Sequence, residues 1–535
     1  MARAAAAEEQ ALTAVASALA SAVLFGLAAR LESPSHLAAL VALAPWLAAI
    51  DGAEWRRALA SAAVLALAVT AAAFAWFPAT IAAYTHLSVP AAWLCALALA
   101  PVVLQPQFLV ACAARLLARR LGAPLPARAA ITALAYVGAE WAIPKLLGDT
   151  LGIGLFPSAS LRQLAELGGP RLLTLLCLAV AECLAARAVL PAIGAATAVA
   201  LAAGYGVMRL HQIDAAPREQ SALSVGVVQA AITAYDKLAA EQGTYETVRQ
   251  ILDAHVALSD ALSRGGPLDL LVWPETVYPT TFGAPKSEEG AEFDAEIAAV
   301  VKRAGVPLVF GAFERSGGGE HNAAFFLDPG RRVQTYQKSL LFPLTEHVPA
   351  WLESPALHAL LPWTGRWVPG PGPRAVAVQT GRAGTVRFAP LICYEAVHVG
   401  YVAAAVRAGA DVLLTLSNDA WFQDPAAPRL HLAAAALRSV EARLPEIRAT
   451  NSGISALVLP SGEIVSATPF GARAAIRLSV PVSPRTWTPV IAWGDWLGPS
   501  ALAACALLVL WFAAPRLLAR ARTLLPRGTG VAARP

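Results

Sequence analysis

The sequence predicts a multi-span α-helical membrane domain, followed by an α/β sheet domain and a final membrane-spanning helix. Of the 535 residues, 57% are hydrophobic and only 14% are charged, whereas about 25% of the residues in an ordinary soluble domain are charged. Polar residues are sparse before about residue 210, ordinary in number up to about residue 490, and sparse again until a basic tail. We therefore divide the chain into residues 1–212, 213–488 and 489–535.

Apolar runs fill the first and last parts of the chain, and all but the short second and fifth have about the 17–25 residues that cross a bilayer. Seven are predicted before the α/β domain and one after it. They are Ala11–Ala29, His36–Ile50, Leu59–Ala83, Ala91–Ala113, Ala129–Ile143, Leu172–Leu190, Ala192–Met208 and Ile491–Ala513.

Arginines indicate the orientation of the chain, because basic residues favour the cytoplasmic side of a membrane. They cluster after the even-numbered runs and in the tail, at Arg56, Arg57, Arg115, Arg119, Arg120, Arg128, Arg187, Arg516, Arg520, Arg522 and Arg527. The α/β domain, which follows the seventh run, is therefore expected outside the cytoplasm. The formal net charge of +5 reflects this topology, and no basic patch interleaved with aromatic residues indicates nucleic-acid binding.

Strands and helices alternate in the α/β domain. The runs that read as strands are Ser224–Gln229, Leu268–Trp273, Pro307–Gly311, Ala323–Leu327, Val386–Ile392, Asp411–Leu416 and Ile454–Leu459. Amphipathic helices are predicted over Thr244–Leu262, Glu292–Ala304 and Leu430–Arg443, and a further helix over Val397–Gly409. This alternation predicts a sheet domain of two layers.

Cys393 follows a predicted strand, at the end where open α/β sheets carry reactive groups. The other five cysteines lie in or beside the apolar runs, so Cys393 has no partner for a structural disulfide in an oxidising compartment. A lone cysteine in an apolar run is more often a buried core residue than a nucleophile. The dipole of the helix predicted after it would favour a thiolate.

A carboxylate and an ammonium group also lie at predicted strand ends. Glu275 follows the strand that Pro274 ends, and Lys338 closes the second arm of a hairpin that turns at Asp328-Pro329-Gly330. Taken singly, Glu275 could be a solvated turn residue and Lys338 a surface charge. Together with Cys393 they form a carboxylate, an ammonium and a thiol at converging strand ends.

Several local motifs carry a resemblance to a known family. They are Trp273-Pro274-Glu275-Thr276, Tyr336-Gln337-Lys338, Glu346-His347-Val348-Pro349, Ile392-Cys393-Tyr394-Glu395, Ser417-Asn418-Asp419-Ala420-Trp421-Phe422 and Arg448-Ala449-Thr450-Asn451-Ser452-Gly453. These motifs resemble the nitrilase, or carbon-nitrogen hydrolase, superfamily with its Glu-Lys-Cys triad. Together with the membrane spans, and with Glu140-Trp141 and Leu161-Arg162-Gln163-Leu164-Ala165-Glu166, they resemble the apolipoprotein N-acyltransferase family. The resemblance implies a nitrilase-like α-β-β-α sandwich on the extracytoplasmic side.

The resemblance also implies roles for the site residues. Glu275 would be the general base, Lys338 would stabilise the thiolate and the oxyanion, and Cys393 would be the nucleophile. Glu346 would orient Lys338 or the incoming amine. Glu395 would anchor the turn after the nucleophile, although a solvated loop position is an equal alternative.

Further residues would contact the substrates. Tyr394, Asn418 and Trp421 would line the acyl or headgroup pocket. The segment between Lys338 and Cys393 is unusually apolar, with Trp351, Leu352, Leu360, Leu361, Trp363 and Trp367. It is either ordinary packing or a lid at the bilayer interface, with Trp363 and Trp367 against the lipid.

The family implies a phospholipid acyl donor and a diacylglyceryl apolipoprotein acceptor, joined through a cysteine thioester in a ping-pong reaction. No metal and no cofactor are implied. A monomer in the bacterial inner membrane is expected, with the catalytic domain on the periplasmic side. Two alternatives remain open: a membrane-tethered amidase or nitrilase that uses the same triad, and a binding or regulatory module that has kept it.

Some positions depart from the family pattern. Ala230 and Ala231 replace a Gly-Asn pair, and Leu238 stands where a tryptophan is usual. Leu344-Thr345 replaces Phe-Gly, and Gln423 replaces a glycine. The departures surround the expected pocket, so they bear on substrate preference more than on the triad.

Overall fold

The computed structural model describes residues 2–85, 87–143, 149–215, 222–233, 245–330, 332–361, 363–482 and 484–524. Leu238 and Arg527 lie outside these residues. Helices dominate the part before the first strand: α1 (Ala2–Ala29), α2 (Ala44–Ile50), α3 (Trp55–Ala73), α4 (Phe77–Thr85), α5 (Val89–Leu99), α6 (Gln107–Arg120), α7 (Leu125–Ala142), α8 (Ala165–Ala185) and α9 (Val189–Ala215).

Within the described residues, five helices are long and apolar enough to cross a membrane. They are Glu9–Ala29, Trp55–Ala73, Leu161–Ala185, Val189–Ala215 and Leu497–Leu518. A sixth span results if Val89–Leu104 and Gln107–Arg120, which meet at a bend of 46°, are taken as one. The predicted run His36–Ile50 is a 3₁₀ turn followed by the short α2. The total of eight spans and the domain boundaries at 212 and 488 therefore stay predictions.

The second half of the chain contains the strands. They are β1 (Ala222–Gln229), β2 (Leu270–Val272), β3 (Tyr278–Thr281), β4 (Leu308–Ser316), β5 (Gly319–Leu327), β6 (Val333–Gln337), β7 (Val376–Gln379), β8 (Thr385–Ile392), β9 (Val412–Ser417), β10 (Glu446–Thr450), β11 (Ala456–Val458), β12 (Ile464–Ala467) and β13 (Ala474–Pro481). Its helices are α10 (Tyr245–Arg264), α11 (Glu288–Ala304), α12 (Pro355–Leu360), α13 (Val399–Arg407), α14 (Ala426–Ala442), α15 (Pro489–Trp493) and α16 (Leu497–Leu524).

The strands form two sheets that pack face to face. One has the order β13-β1-β2-β4-β5-β6, with β3 beside β4, and the other β12-β11-β10-β9-β8-β7. Apolar side chains from both sheets, such as Val227, Phe326 and Phe388, form one buried core between them. Helices α10 and α11 cover the outer face of the first sheet, and α13 and α14 cover that of the second. The expected α-β-β-α sandwich is confirmed.

The seven predicted strands and the helices predicted with them are confirmed to within a few residues. The sequence analysis missed β3, β7, β10, β12 and β13. Strand β10 carries Glu446 and Arg448 in place of an apolar run. Both side chains are buried in the structure. Strands β1, β2 and β4 are parallel, as are β8, β9 and β10. Their carboxyl ends therefore lie at one edge of each sheet, which is where the candidate site is built.

A cluster of charged residues, hereafter the anchor cluster, joins the helical domain to the sandwich. Glu166 accepts hydrogen bonds from Arg209 Nε (2.5 Å), from Arg443 Nε (2.6 Å) and from the Tyr205 hydroxyl. Arg443 also donates to Gln163 Oε1 (2.7 Å) and to the Pro460 carbonyl (2.9 Å). Two helices of the membrane domain are thereby tied to the residue that follows α14.

Candidate active site

Lys338 holds the centre of the candidate site. It follows β6 directly, and its ammonium donates to Glu275 Oε1 (3.1 Å) and to Glu346 Oε1 (2.7 Å). Its side chain is only 2% exposed. Burial lowers the pKa of the Lys338 amine, but the two carboxylates outweigh burial and hold the pKa well above its usual value. The structure thus brings Glu275, Lys338 and Glu346 into one buried, charged cluster, hereafter the active-site cluster.

Glu275 is held by donors from three elements. Besides Lys338, its Oε1 accepts from Asn322 Nδ2 (2.8 Å), and its Oε2 accepts from the backbone N–H of Asn418 (3.0 Å). Asn322 Nδ2 also lies 3.2 Å from Glu346 Oε1. Sequence reasoning missed Asn322, although a polar residue within the buried run of β5 was a usable signal. These donors hold Glu275 in one orientation.

A glycine allows β4 to approach the loop that carries Glu275 closely. A Cβ on Gly311 would lie 2.4 Å from the backbone nitrogen of Thr276 and 2.7 Å from Glu275 Cα. The backbone N–H of Gly311 donates to the Pro274 carbonyl (3.0 Å), and its carbonyl accepts from Val277 (3.0 Å). A larger residue at position 311 would push the Glu275 loop away.

Glu346 lies in the loop after Lys338 and is the more exposed of the two carboxylates, at 18% against 6% for Glu275. Its second oxygen accepts from the backbone N–H of Phe342 (2.7 Å). The backbone bond fixes the carboxylate while its other oxygen contacts Lys338. Glu346 is therefore placed to orient the ammonium.

Cys393 lies at the end of β8 in a strained conformation. Its φ of 50° is in the left-handed region, which costs a residue with a side chain about 1–2 kcal/mol. The 3₁₀ turn Cys393–Val397 follows, and only then does α13 begin. Cys393 as a whole residue is partly exposed there, at the edge of the sheet.

Burial and charge at the site oppose ionisation of the Cys393 thiol, against the effect expected from a helix dipole. Burial and the Glu275 carboxylate raise the pKa of Cys393 to about 12, and the opposing effects of Lys338 and Ser417 are smaller. The helix after the nucleophile begins six residues downstream, at Val399, and its dipole acts mainly within its first turn. Cys393 therefore needs a base to become a nucleophile.

Glu395 anchors the turn and is not a solvated loop residue. It is fully buried, and its Oε1 accepts from the backbone N–H groups of Ser339 (2.6 Å) and Leu340 (3.2 Å). Its Oε2 accepts from the Tyr336 hydroxyl and from the N–H of Ile392, both at 2.8 Å. Burial raises the pKa of Glu395 despite these bonds. The carboxyl group thus ties the residues after Lys338 to the turn that carries Cys393.

The three residues predicted to line the substrate pocket, Tyr394, Asn418 and Trp421, differ in their contacts and exposure. Tyr394 contacts Phe342 edge to face at 5.1 Å between ring centroids, and burial raises its pKa to about 12. Asn418 Oδ1 accepts from Asn451 Nδ2 (3.1 Å), while its backbone N–H binds Glu275. Trp421 is half-exposed. Asn418 therefore supports the active-site cluster through its backbone.

The apolar segment after Lys338 contains both packed and exposed tryptophans. Trp367 lies against Phe313 at 4.3 Å between ring centroids, and Trp363 is half-buried. Trp351 is 83% exposed. Trp367 is thus fixed by packing on the sandwich, whereas Trp351 is available for contact outside the protein.

One departure from the family pattern lies in a strained backbone position. Ala231 has a φ of 55° at the place where the family has asparagine, a residue that tolerates this region better. Its backbone N–H donates to the Asn451 carbonyl (2.8 Å). Leu344 has a φ of 62° and is exposed. Both loops therefore have a left-handed backbone at a residue that carries a side chain.

A buried polar network beneath Cys393 was not predicted. His431 on α14 lies with Nε2 3.3 Å from the Cys393 carbonyl oxygen and Nδ1 3.2 Å from Asp419 Oδ1. Arg448 on β10 lies 3.1 Å from Asp419 Oδ2. Burial opposes the charge on Asp419, but Arg448 and His431 outweigh it and hold the pKa well below its usual value. Asp419 and Arg448 are therefore charged partners.

Among the described residues, no group of three or more histidine, cysteine, aspartate or glutamate side chains could hold a metal ion.

Two family profiles match the chain. Residues 224–481 match the carbon-nitrogen hydrolase domain, and residues 16–183 match the apolipoprotein N-acyltransferase N-terminal domain. Together they cover both the helical part and the sandwich.

Individual proteins are similar to part of the chain. An apolipoprotein N-acyltransferase of Bdellovibrio bacteriovorus is 31% identical over 256 residues, which are 46% of each protein. One of Brucella suis is 34% identical over 307 residues, or 55% of this chain and 54% of that protein. The chain thus spans about half the length of these relatives. Among solved structures, an amidase from Nesterenkonia sp. is 18% identical with a TM-score of 0.36, covering 49% of this chain and 92% of that one.

Proposed function

The chain belongs to the apolipoprotein N-acyltransferase family, and on that premise we propose that it transfers an acyl chain from a phospholipid to a lipoprotein. The acceptor is the α-amino group of the N-terminal diacylglyceryl-cysteine. The observation that carries this proposal is the Lys338 ammonium bound between the carboxylates of Glu275 and Glu346. Both the Lys338 ammonium and the Glu275 carboxylate act electrostatically on the thiol of Cys393.

The first half-reaction forms a thioester. Glu275 takes the proton from the Cys393 thiol, and the sulfur attacks the carbonyl carbon of a phospholipid ester. The tetrahedral oxyanion is stabilised by Lys338 and by the backbone N–H of Tyr394. Its collapse breaks the ester C–O bond, and the leaving alkoxide takes the proton from Glu275. The products are the thioester on Cys393 and a lysophospholipid.

The second half-reaction uses the same groups. Glu275 takes a proton from the acceptor amine as its nitrogen attacks the thioester carbonyl. The C–S bond breaks, an amide forms, and the proton on Glu275 returns to the Cys393 sulfur. A thioester reacts with an amine more readily than the original ester does, so the two-step route lowers the barrier to transfer. One cysteine and one base serve both steps, which favours a ping-pong order.

The raised pKa of Cys393 supports the role of Glu275 as a base. A thiol with a pKa of about 12 carries very little thiolate at neutral pH, so attack requires removal of the proton in the same site. Glu346 orients Lys338, and Glu395 holds the turn that presents Cys393. Tyr394, Asn418 and Trp421 line the substrate pocket.

Membrane spans give both lipid substrates lateral access to Cys393. We place the chain in a bacterial inner membrane, with the sandwich on the periplasmic side and the protein a monomer. In the segment after Lys338, Trp363 contacts the lipid, and Trp367, which packs on Phe313, forms a fixed edge of the lipid entrance. Trp351 is 83% exposed, and exposed tryptophans of this kind suit the membrane–water interface.

Trapping the acyl-enzyme tests the function directly. The purified chain in liposomes that contain radiolabelled phospholipid should form a labelled thioester and release lysophospholipid before any acceptor is added. Cys393→Ala should fold normally and form no thioester, because the covalent route is lost while only one sulfur atom is removed. Label on Cys393→Ala, or lysophospholipid that appears only with the acceptor, would contradict the ping-pong mechanism.

The acceptor that discharges the thioester separates the two enzymatic alternatives. A diacylglyceryl-cysteine peptide should remove the label as an amide product, whereas water alone should remove it slowly. Faster release by water than by the peptide would favour the membrane-tethered hydrolase. A chain that never acquires label would favour the binding or regulatory module.

The orientation has its own test. A reporter fused after Ile213 should be active outside the cytoplasm, and one fused after Arg527 should be active inside. The opposite pattern would refute the orientation.

A further inference from the structure

The network beneath Cys393 contains a histidine that the proposed mechanism does not use. Its Nε2 lies 3.3 Å from the carbonyl oxygen of Cys393. On the other side of the ring, Nδ1 lies 3.2 Å from Asp419 Oδ1 and 3.0 Å from Arg448 Nη2. Asp419 is fixed in turn by the Ser417 hydroxyl, which donates at 2.6 Å. His431 is therefore held by two buried charges and directed at the backbone of the nucleophile.

The partners determine where the ring carries its protons. A carbonyl oxygen can only accept a hydrogen bond, so Nε2 must carry a hydrogen. Arg448 can only donate and Asp419 can only accept, so Nδ1 accepts from Arg448 when the ring is neutral and donates to Asp419 when it is protonated. In both protonation states Nε2 donates to Cys393. The contact is to the carbonyl oxygen, which separates His431 from a base that would take the thiol proton.

A bond to this carbonyl fixes a whole peptide plane. The Cys393 carbonyl and the Tyr394 N–H belong to one planar trans peptide and point in opposite directions. Holding the carbonyl therefore directs the Tyr394 N–H, and a donor on the carbonyl strengthens that N–H as a donor. The left-handed φ of 50° at Cys393 makes such support necessary, because the backbone would otherwise relax toward a more favourable region.

We propose that His431 is a positioning residue that holds the Cys393–Tyr394 peptide so that its N–H faces the oxyanion of the acyl intermediate. The inference rests on the proposed acyl transfer and assigns a further residue to it. His431 acts through this peptide and touches neither lipid nor sulfur. Its removal should weaken stabilisation of the tetrahedral intermediate and leave the thiol itself unchanged.

Two reactions of the same sulfur separate these effects. Acylation by phospholipid passes through an oxyanion, whereas alkylation by iodoacetamide does not. In the full-length protein, His431→Ala should slow acyl-enzyme formation by about 10²-fold, as the loss of one oxyanion donor does. Its alkylation rate, and the phospholipid concentration that gives half-maximal acylation, should stay at the wild-type values.

A pair of amides tests the position of the donor. His431→Gln carries an N–H that can reach the place of Nε2, and it should restore most of the acylation rate. His431→Asn places its N–H near Nδ1, cannot reach Cys393, and should be as slow as His431→Ala. His255→Gln, which alters a buried histidine on α10, is the matched control and should acylate normally.

Three results would overturn the proposal. One is equal acylation by the Gln and Asn variants; this comparison decides the matter even if His431→Ala does not fold. The second is a parallel loss of alkylation and acylation, which would mean that His431 only keeps the turn folded. The third is normal acylation by His431→Asn. Failure of the proposed function is distinguishable, because the wild-type protein would then form no acyl-enzyme at all.

Discussion

The active-site cluster and the anchor cluster are both largely buried groups of three charged residues, yet they are built in opposite ways. The active-site cluster has two carboxylates around one lysine, Glu275 and Glu346 around Lys338. In the anchor cluster two arginines surround one carboxylate, Arg209 and Arg443 around Glu166. The first carries an excess of negative charge and the second an excess of positive charge.

The difference shows what each type of cation contributes. Arg209 binds Glu166 through two nitrogens of its guanidinium fork. Arg443 binds Glu166 through Nε, and its Nη1 donates to Gln163 and Pro460, so that the cluster is rigid. The Lys338 ammonium is a compact point charge that both carboxylates share, and it can follow a developing oxyanion without breaking a fixed fork. We infer that the anchor cluster serves stability and the active-site cluster serves chemistry.

The largest effect is expected from Glu275→Gln. The amide keeps the shape of the side chain but cannot take the thiol proton, so acyl-enzyme formation should fall by about 10²- to 10⁴-fold. The rate is measured with radiolabelled phospholipid, and the thermal midpoint of unfolding should change little. Glu463→Gln, at an exposed carboxylate of the same domain, is the control. An acylation rate near that of the wild type would show that Glu275 has no chemical role in the active-site cluster.

Exchanging the cations tests the comparison in both directions. Lys338→Arg keeps the charge but replaces the point charge by a larger planar fork, so acyl-enzyme formation should fall by about 10²-fold. Arg443→Lys keeps the charge but loses the fork, so the thermal midpoint should fall while the acylation rate of the folded protein is retained. If Lys338→Arg were fully active, or Arg443→Lys selectively inactive, the division between chemistry and stability would be wrong.

Glu166→Gln should destabilise the protein without affecting the chemistry. Removing the carboxylate leaves the buried Arg443 without its charge partner, which costs about 3–5 kcal/mol of folding free energy. The matched control is Glu32→Gln, which breaks the exposed contact between Glu32 and Arg429 (3.5 Å) and should cost about 0–1 kcal/mol. Equal thermal midpoints for the two variants would show that burial of the anchor cluster contributes nothing.

The smallest expected effect is a shift of a pH profile. The Glu275 carboxylate raises the pKa of Cys393, because a negative charge opposes formation of the thiolate. Glu275→Gln removes that charge, so iodoacetamide should alkylate Cys393 at lower pH in the variant than in the wild type, although acylation is slower. Glu166→Gln should leave the alkylation profile where it is. A shift of the Glu275→Gln profile to higher pH would contradict the electrostatic account.

Much of the site was predictable because its residues lie at strand ends in short local motifs. Glu275, Lys338 and Cys393 each follow a strand that the sequence indicates through its apolar run and its turn. Asn322 and His431 were not singled out, and Arg448 was noted only as part of a motif. Each of these residues contacts a partner that is distant in the sequence, as Asn322 contacts Glu275, 47 residues away. The local sequence pattern around a residue does not show which distant residue it will contact.

The sequence by itself determined that a helical part precedes an α/β sandwich, where most of the strands lie, and that Glu275, Lys338 and Cys393 follow strands. These follow from local properties: the length of apolar runs, the two-residue period of strands and the residues that end them. Only the tertiary structure decided that Glu395 is a buried anchor, that burial and Glu275 raise the pKa of Cys393, and that Arg443 binds Glu166, 277 residues earlier. Burial and side-chain pairing depend on the register and stacking of two sheets and on their docking to the helices, and these long-range contacts set both pKa and orientation.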